Sequence, residues 1–273
     1  MHCFVINMPT SKARYEHASG ELSRFAPQLS YSVPKMYVAA EMSNDDFSRL
    51  YDSEGAWKLH NRDLSRGEIA CALSHQSALR EFLSTNEECC CIVEDDVVLS
   101  PYVGTFLEGL ELWFQTMKSR SVCVVLSEAS AVRYWAARKW IGTVRRTVPI
   151  DVVGALAYVV NRAGAKAILK VNPVPIVMTS DNWSYYRRHG VCVYGTDKIL
   201  AGSSDYSRND SSLSEGRALV YQESLSKRKK EKWLRRKWRA GMWWAVRFGR
   251  ILTGVSFAGE NRSNERIYRY MER

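Results

Sequence analysis

Short apolar runs separated by polar stretches of helical spacing set the rhythm of the first two hundred residues. Cys3–Ile6, Cys89–Val93, Val122–Leu126, Ala155–Val160 and Val191–Tyr194 have the length and character of buried strands, and Met36–Ala40 is a further candidate. Helices are expected around Tyr15–Phe25, from Leu64 to about Phe82, and over Phe106–Met117, Ala163–Val171 and Ser180–Arg188. The second is the clearest: Ile69, Ala72, Leu73, Leu79 and Phe82 recur at helical spacing behind a cap-like Leu64-Ser65-Arg66-Gly67-Glu68 start. Alternating elements of this kind predict an α/β sandwich, a mostly parallel sheet flanked by helices. In such sheets ligands bind beyond the carboxyl ends of the strands, so the residues following each strand carry the interest.

With 273 residues, 46% apolar and 25% charged, the chain can bury a sizeable core, which excludes a disordered or fibrous class. No apolar run approaches the roughly 20 residues of a membrane-spanning helix. The start, Met1-His2-Cys3-Phe4, has no basic leader and does not read as a secretory signal. Seven cysteines, three of them consecutive and none in a C-x-x-C pair, fit reduced and mostly buried thiols in a cytosolic protein. The net charge of +10 is concentrated. Between Ser226 and Arg250 there are eleven Lys/Arg against one acid, Glu231, so this stretch holds the whole surplus. The expected organisation is a globular domain over 1–222 and a basic appendage over 223–273.

The sharpest chemical signal is Glu94-Asp95-Asp96, where the Cys89–Val93 strand leaves the core. On an extended backbone Glu94 and Asp96 would share a face while Asp95 points away. Two convergent carboxylates suit Mg²⁺ or Mn²⁺, whose remaining ligands a diphosphate can supply. An ordinary acidic loop is the competing reading. On the preceding helix, Glu68 and His75 lie two turns apart with Cys71 between them. His75 there reads equally as a structural histidine, and Glu68 as a residue favoured by the helix dipole.

In order along the chain, Phe4-Val5-Ile6-Asn7-Met8 with Arg14, the block Arg66-Gly67-Glu68-Ile69-Ala70-Cys71-Ala72-Leu73-Ser74-His75, Ile92-Val93-Glu94-Asp95-Asp96-Val97, the segment from Gly154 to Lys166, and Ser180-Asp181-Asn182-Trp183 resemble glycosyltransferase family 25. That family includes lipooligosaccharide β-galactosyltransferases, and the resemblance covers roughly residues 2–200. The sequence departs from the family pattern at Ala70, where glycine is usual, and lacks a proline directly before Ser180-Asp181. The resemblance implies a GT-A-type fold, an inverting transfer, UDP-galactose as donor and a divalent cation, Mn²⁺ or Mg²⁺, as helper. Asp96, with Glu94 or Asp95, would hold the metal. Asn7, Arg14, Glu68, Ser74, His75 and Asp95 would line the donor site. Inverting displacement needs a base for the acceptor hydroxyl. Asp181 is the first candidate and Glu128, after the Val122–Leu126 strand, the second; Asp181 also suits a helix cap.

In the tail, Leu234, Trp238, Met242, Ala245, Phe248 and Leu252 form an apolar helical stripe, with arginines largely off it and Trp233, Trp243 and Trp244 beside it. A cationic amphipathic helix rich in tryptophan suits an anionic membrane surface. A stripe packed on the body is the plainer reading, and nucleic-acid binding is a weaker one. Together these features predict a peripheral glycosyltransferase on the cytoplasmic face of the bacterial inner membrane, extending a lipid-linked saccharide such as lipopolysaccharide core or an O-antigen precursor. The alternative is a non-catalytic module of this fold that binds a partner or nucleic acid through its basic tail.

Overall fold

Side-chain alternation along the central strands divides the core into two layers, one on each face of a single sheet. The computed structural model describes residues 1–25, 29–128, 131–133, 138–151, 154–204, 220 and 255–257. Strands β1 (His2–Ile6), β2 (Ser30–Ser32), β3 (Cys89–Glu94), β5 (Val122–Val125) and β11 (Cys192–Thr196) run in one direction. β10 (Ala157–Asn161) is inserted antiparallel between β3 and β5. A hairpin of β7 (Arg138–Ile141) and β8 (Val144–Thr147) extends the edge beyond β11, giving the order β2-β1-β3-β10-β5-β11-β8-β7. The architecture is mixed α/β with a mainly parallel central sheet.

On one face, Cys3, Val5, Cys91, Val93, Val122 and Val124 pack against helices α1 (Lys12–Ser23) and α5 (Val103–Gln115). On the other, Phe4, Ile6, Cys90, Ile92, Cys123 and Val125 meet α4 (Arg66–Ser84), α6 (Arg162–Val171) and α7 (Trp183–Arg188). The odd–even split is the period-two pattern of strands buried on both faces. The cysteines form no disulfide, and burial pushes the Cys90 and Cys123 thiols well up. A third cluster joins the far side of α4 to α2 (Asn44–Leu50) and α3 (Ser53–His60) through Phe47, Leu50, Ala56, Ile69 and Leu73.

Met36–Ala40, expected as a strand, is not one; Ser30–Ser32 takes the place beside β1. Met36, Tyr37 and Ala39 instead pack on the core clusters from irregular backbone that turns at Ala39–Ala40, and the Tyr37 N–H donates to Ser74 Oγ on α4 at 2.9 Å. A two-stranded ribbon pairs β4 (Val97–Leu99) with β12 (Ala201–Ser203), and three short strands, β13 (Val255–Phe257), β6 (Ala131–Arg133) and β9 (Pro149–Asp151), form a separate sheet. The basic stretch 226–250 and its apolar stripe lie outside the described residues. Among the described residues no helix is long and apolar enough to cross a membrane.

Candidate active site

Strand direction brings the candidate residues to one edge of the sheet. Asn7 follows β1, Glu94 ends β3, and Ile6 is in register with Glu94. Glu128 follows β5 at the same edge. Because β10 is reversed, it is its start that lies here, and the Glu94 N–H donates to Leu156 O at 2.8 Å. Just before that start, Gly154 (φ +91°) is held from two sides: its N–H donates to Asp181 Oδ2 at 3.1 Å, and Trp183 Nε1 donates to its carbonyl at 2.9 Å. Asp181 therefore joins the edge from a late element. Asn182, not Asp181, caps α7, accepting from the Tyr185 N–H, so the capping alternative for Asp181 is not realised.

The acidic triplet does not continue as extended backbone. Glu94 ends β3, and Asp95 and Asp96 form the turn into β4, so strand alternation stops at Glu94. Asp95 and Asp96 each have a hydrogen-bond partner, while Glu94 faces a histidine. Asp95 Oδ1 accepts from Arg14 Nε at 2.8 Å and Nη2 at 2.5 Å. Asp96 Oδ2 accepts from Ser203 Oγ at 3.0 Å, and its Oδ1 is buried with no hydrogen-bond partner. Glu94 Oε1 lies 3.4 Å from His75 Nε2. Desolvation raises the Asp95 carboxyl above its ordinary range, with Arg14 opposing. Desolvation also raises Asp96, and the Glu94 charge pushes it further. For Arg14 burial works against the charge, but the Asp95 hydrogen bond and the surrounding carboxylates outweigh it and hold the guanidinium up. Asn7 Nδ2 donates to Met8 O at 3.0 Å, while its Oδ1 is a second buried oxygen without a partner.

Behind the edge, α4 presents the Arg66–His75 block. Its start is a capping box in which Ser65 and Glu68 satisfy one another's backbone N–H groups. The buried Glu68 carboxylate also accepts a forked pair from Arg62, at 2.8 and 2.9 Å. Ser74 is fully buried, donating to Ala70 O and accepting from Tyr37. Glu68 and Ser74, two of the residues expected at the donor site, are thus engaged in holding α4 and its neighbours. His75, 1% exposed, has Nδ1 3.2 Å from the Tyr158 hydroxyl and makes no hydrogen bond through Nε2. Cys71, one turn earlier, His75 and Glu94 bring their donor atoms within 4.8 Å of one another. Two sets of side chains could therefore hold a cation: the carboxylates of the turn, and this mixed sulfur, nitrogen and oxygen group.

Residues 1–183 match the family model described as glycosyltransferase family 25 (LPS biosynthesis protein). The chain belongs to glycosyltransferase family 25. A curated relative from Aedes aegypti, named glycosyltransferase 25 family member, is 22% identical over 183 residues, covering 57% of this chain. The chain spans 28% of that relative's length. The family 25 chain also aligns with two solved structures. One, described as a glucose-1-phosphate thymidylyltransferase from Bacillus anthracis in complex with sucrose, is 14% identical, with TM-score 0.38, 80% of this chain and 94% of that one covered. The other, a glycosyltransferase involved in glycosylation of the major capsid of PBCV-1, is 8% identical, with TM-score 0.31 and coverages of 81% and 98%.

Proposed function

We propose that this family 25 chain adopts a GT-A-type nucleotide-sugar site and transfers a hexose, galactose from UDP-galactose, with inversion onto a lipid-linked saccharide of lipopolysaccharide type. The observation that carries the reading is the gathering of Asn7, Glu94, Asp95, Asp96, Glu128 and Asp181 at one edge of the sheet, with buried, unpartnered oxygens on Asn7 and Asp96. An orphaned carboxylate oxygen beside a second carboxylate fits a hard divalent cation, because the bare group otherwise carries an uncompensated desolvation cost. Asp96 and Glu94 would hold Mn²⁺ or Mg²⁺, which supplies charge neutralisation to the departing diphosphate.

The chain's own groups do the rest. Arg14, fixed by Asp95, keeps a cation beside the phosphates, and Asn7 offers a polar side chain at the end of β1. Asp181, oriented by the Gly154 N–H, accepts the acceptor hydroxyl's proton as that oxygen attacks the anomeric carbon; Glu128 is the second choice for this role. The basic tail docks the enzyme on the anionic cytoplasmic face of the inner membrane, where a lipid-linked acceptor lies.

The test is hydrolysis and transfer with UDP-galactose and other UDP-sugars, with and without Mn²⁺. Metal-dependent release of UDP, reduced at least about 100-fold in Asp96→Asn, is the expected result. Turnover from none of the UDP-sugars would instead leave a non-catalytic binding module.

A further inference from the structure

The Cys71–His75–Glu94 group is chemically unlike the acidic turn. Two donors about 2.1 Å from one tetrahedral centre stand about 3.4 Å apart. His75 Nε2 and Glu94 Oε1 are separated by 3.4 Å, outside good hydrogen-bond range yet suited to two ligands of a common ion. The Nε2 atom is buried and makes no hydrogen bond, a cost that the protein otherwise leaves standing. On the opposite side of the ring, Nδ1–H donating to the Tyr158 oxygen at 3.2 Å would select the tautomer whose Nε2 lone pair faces Glu94 and Cys71. Cys71 and His75 are four apart on α4, one turn, and present sulfur and nitrogen together.

We propose that Cys71, His75 and Glu94 form a zinc-binding site with three protein ligands and a fourth position open to water or an incoming oxygen ligand. Thiolate and imidazole favour zinc over Mg²⁺ or Mn²⁺, so the site takes a different ion from the one expected at the turn. Binding displaces the Cys71 proton, so affinity falls as pH is lowered. Glu94 belongs to both donor sets, and zinc held here withdraws it from the acidic turn.

The full chain is titrated with Co²⁺, a coloured stand-in for zinc, in the absence of any nucleotide sugar, so the outcome is independent of the transferase reading. The expected result is one equivalent bound, with a near-ultraviolet thiolate-to-cobalt band and the visible bands of four-coordinate cobalt, both abolished by Zn²⁺. Cys71→Ser loses the thiolate band, while Cys192→Ser, at the other partly exposed cysteine, retains it. Glu94→Gln, at a partly exposed position, keeps the thiolate band but weakens zinc about tenfold or more, and it serves if Cys71→Ser does not fold. A wild-type chain with no thiolate band, a band that survives Cys71→Ser, or zinc affinity unchanged in Glu94→Gln overturns the proposal.

Discussion

Asp96 is at odds with its surroundings. Burial and the neighbouring Glu94 charge both favour its protonated form, and the hydrogen bond from Ser203 offsets only part of this. A carboxyl with a raised folded-state value binds its proton more tightly in the folded chain. Its contribution to stability is therefore fully present below the ordinary aspartate range and is lost as pH rises through the raised value. Asp96→Asn removes that pH dependence while keeping an oxygen for Ser203. In metal-free protein the variant should melt higher than the wild type at pH 7, by about 2–4 °C for each kcal/mol relieved. The difference should shrink as pH falls toward 4; a difference that grows in acid contradicts the account. The same charge that weakens the apo protein is the one that would grip a cation, the usual trade between stability and a functional site.

At the scale of elements, α4 does the most positioning. It bridges two core clusters and carries Cys71 and His75, and its start depends on the reciprocal cap and the Arg62 fork. Ser65→Ala should cost about 1 kcal/mol, the usual value of a lost cap. Glu68→Ala should cost about 3 kcal/mol, because it also strands Arg62 beside a low-dielectric interior. Urea unfolding distinguishes the two; equal losses would show that the Arg62 pair adds nothing. Such elements were legible where one physical signal dominates. β1, β3, β5 and β11 announce themselves as apolar runs, and α4 by spacing. The helices α2 and α3, 7 and 8 residues long and largely polar, show only their caps, Ser43 and Asp52. The hairpin β7–β8 is hidden by its Lys and Arg residues. Met36–Ala40 has the composition of a strand but spends its apolar groups against α4. In the site, the Cys71–His75 spacing and the acidic triplet are local and readable. The meeting of Cys71 and His75 with Glu94, the turn at Asp95, and the arrival of Ser203 are tertiary and leave no trace in any one segment.

For the molecule as a whole, the proposed membrane role of the basic stretch makes a direct prediction. With each cationic residue near an anionic surface contributing on the order of 1 kcal/mol, replacing Lys227, Arg228, Lys229, Lys230, Arg235 and Arg236 by Gln should lower co-sedimentation with anionic vesicles at least about tenfold. UDP release should be unchanged; undiminished sedimentation would remove the membrane role. Within the body, the ribbon of β4 and β12 bears on the site. Its end and the residue after it clasp the acidic turn, with Ser203 Oγ on Asp96 Oδ2 at 3.0 Å and the Ser204 N–H on Asp96 O at 2.7 Å. The end of β12 is thus tied, by one side-chain and one backbone bond, to the very residue proposed to seat the cation. Displacing that strand's end would move the Asp96 carboxylate and its backbone together, so the fit of any cation at the turn depends on how β12 is seated.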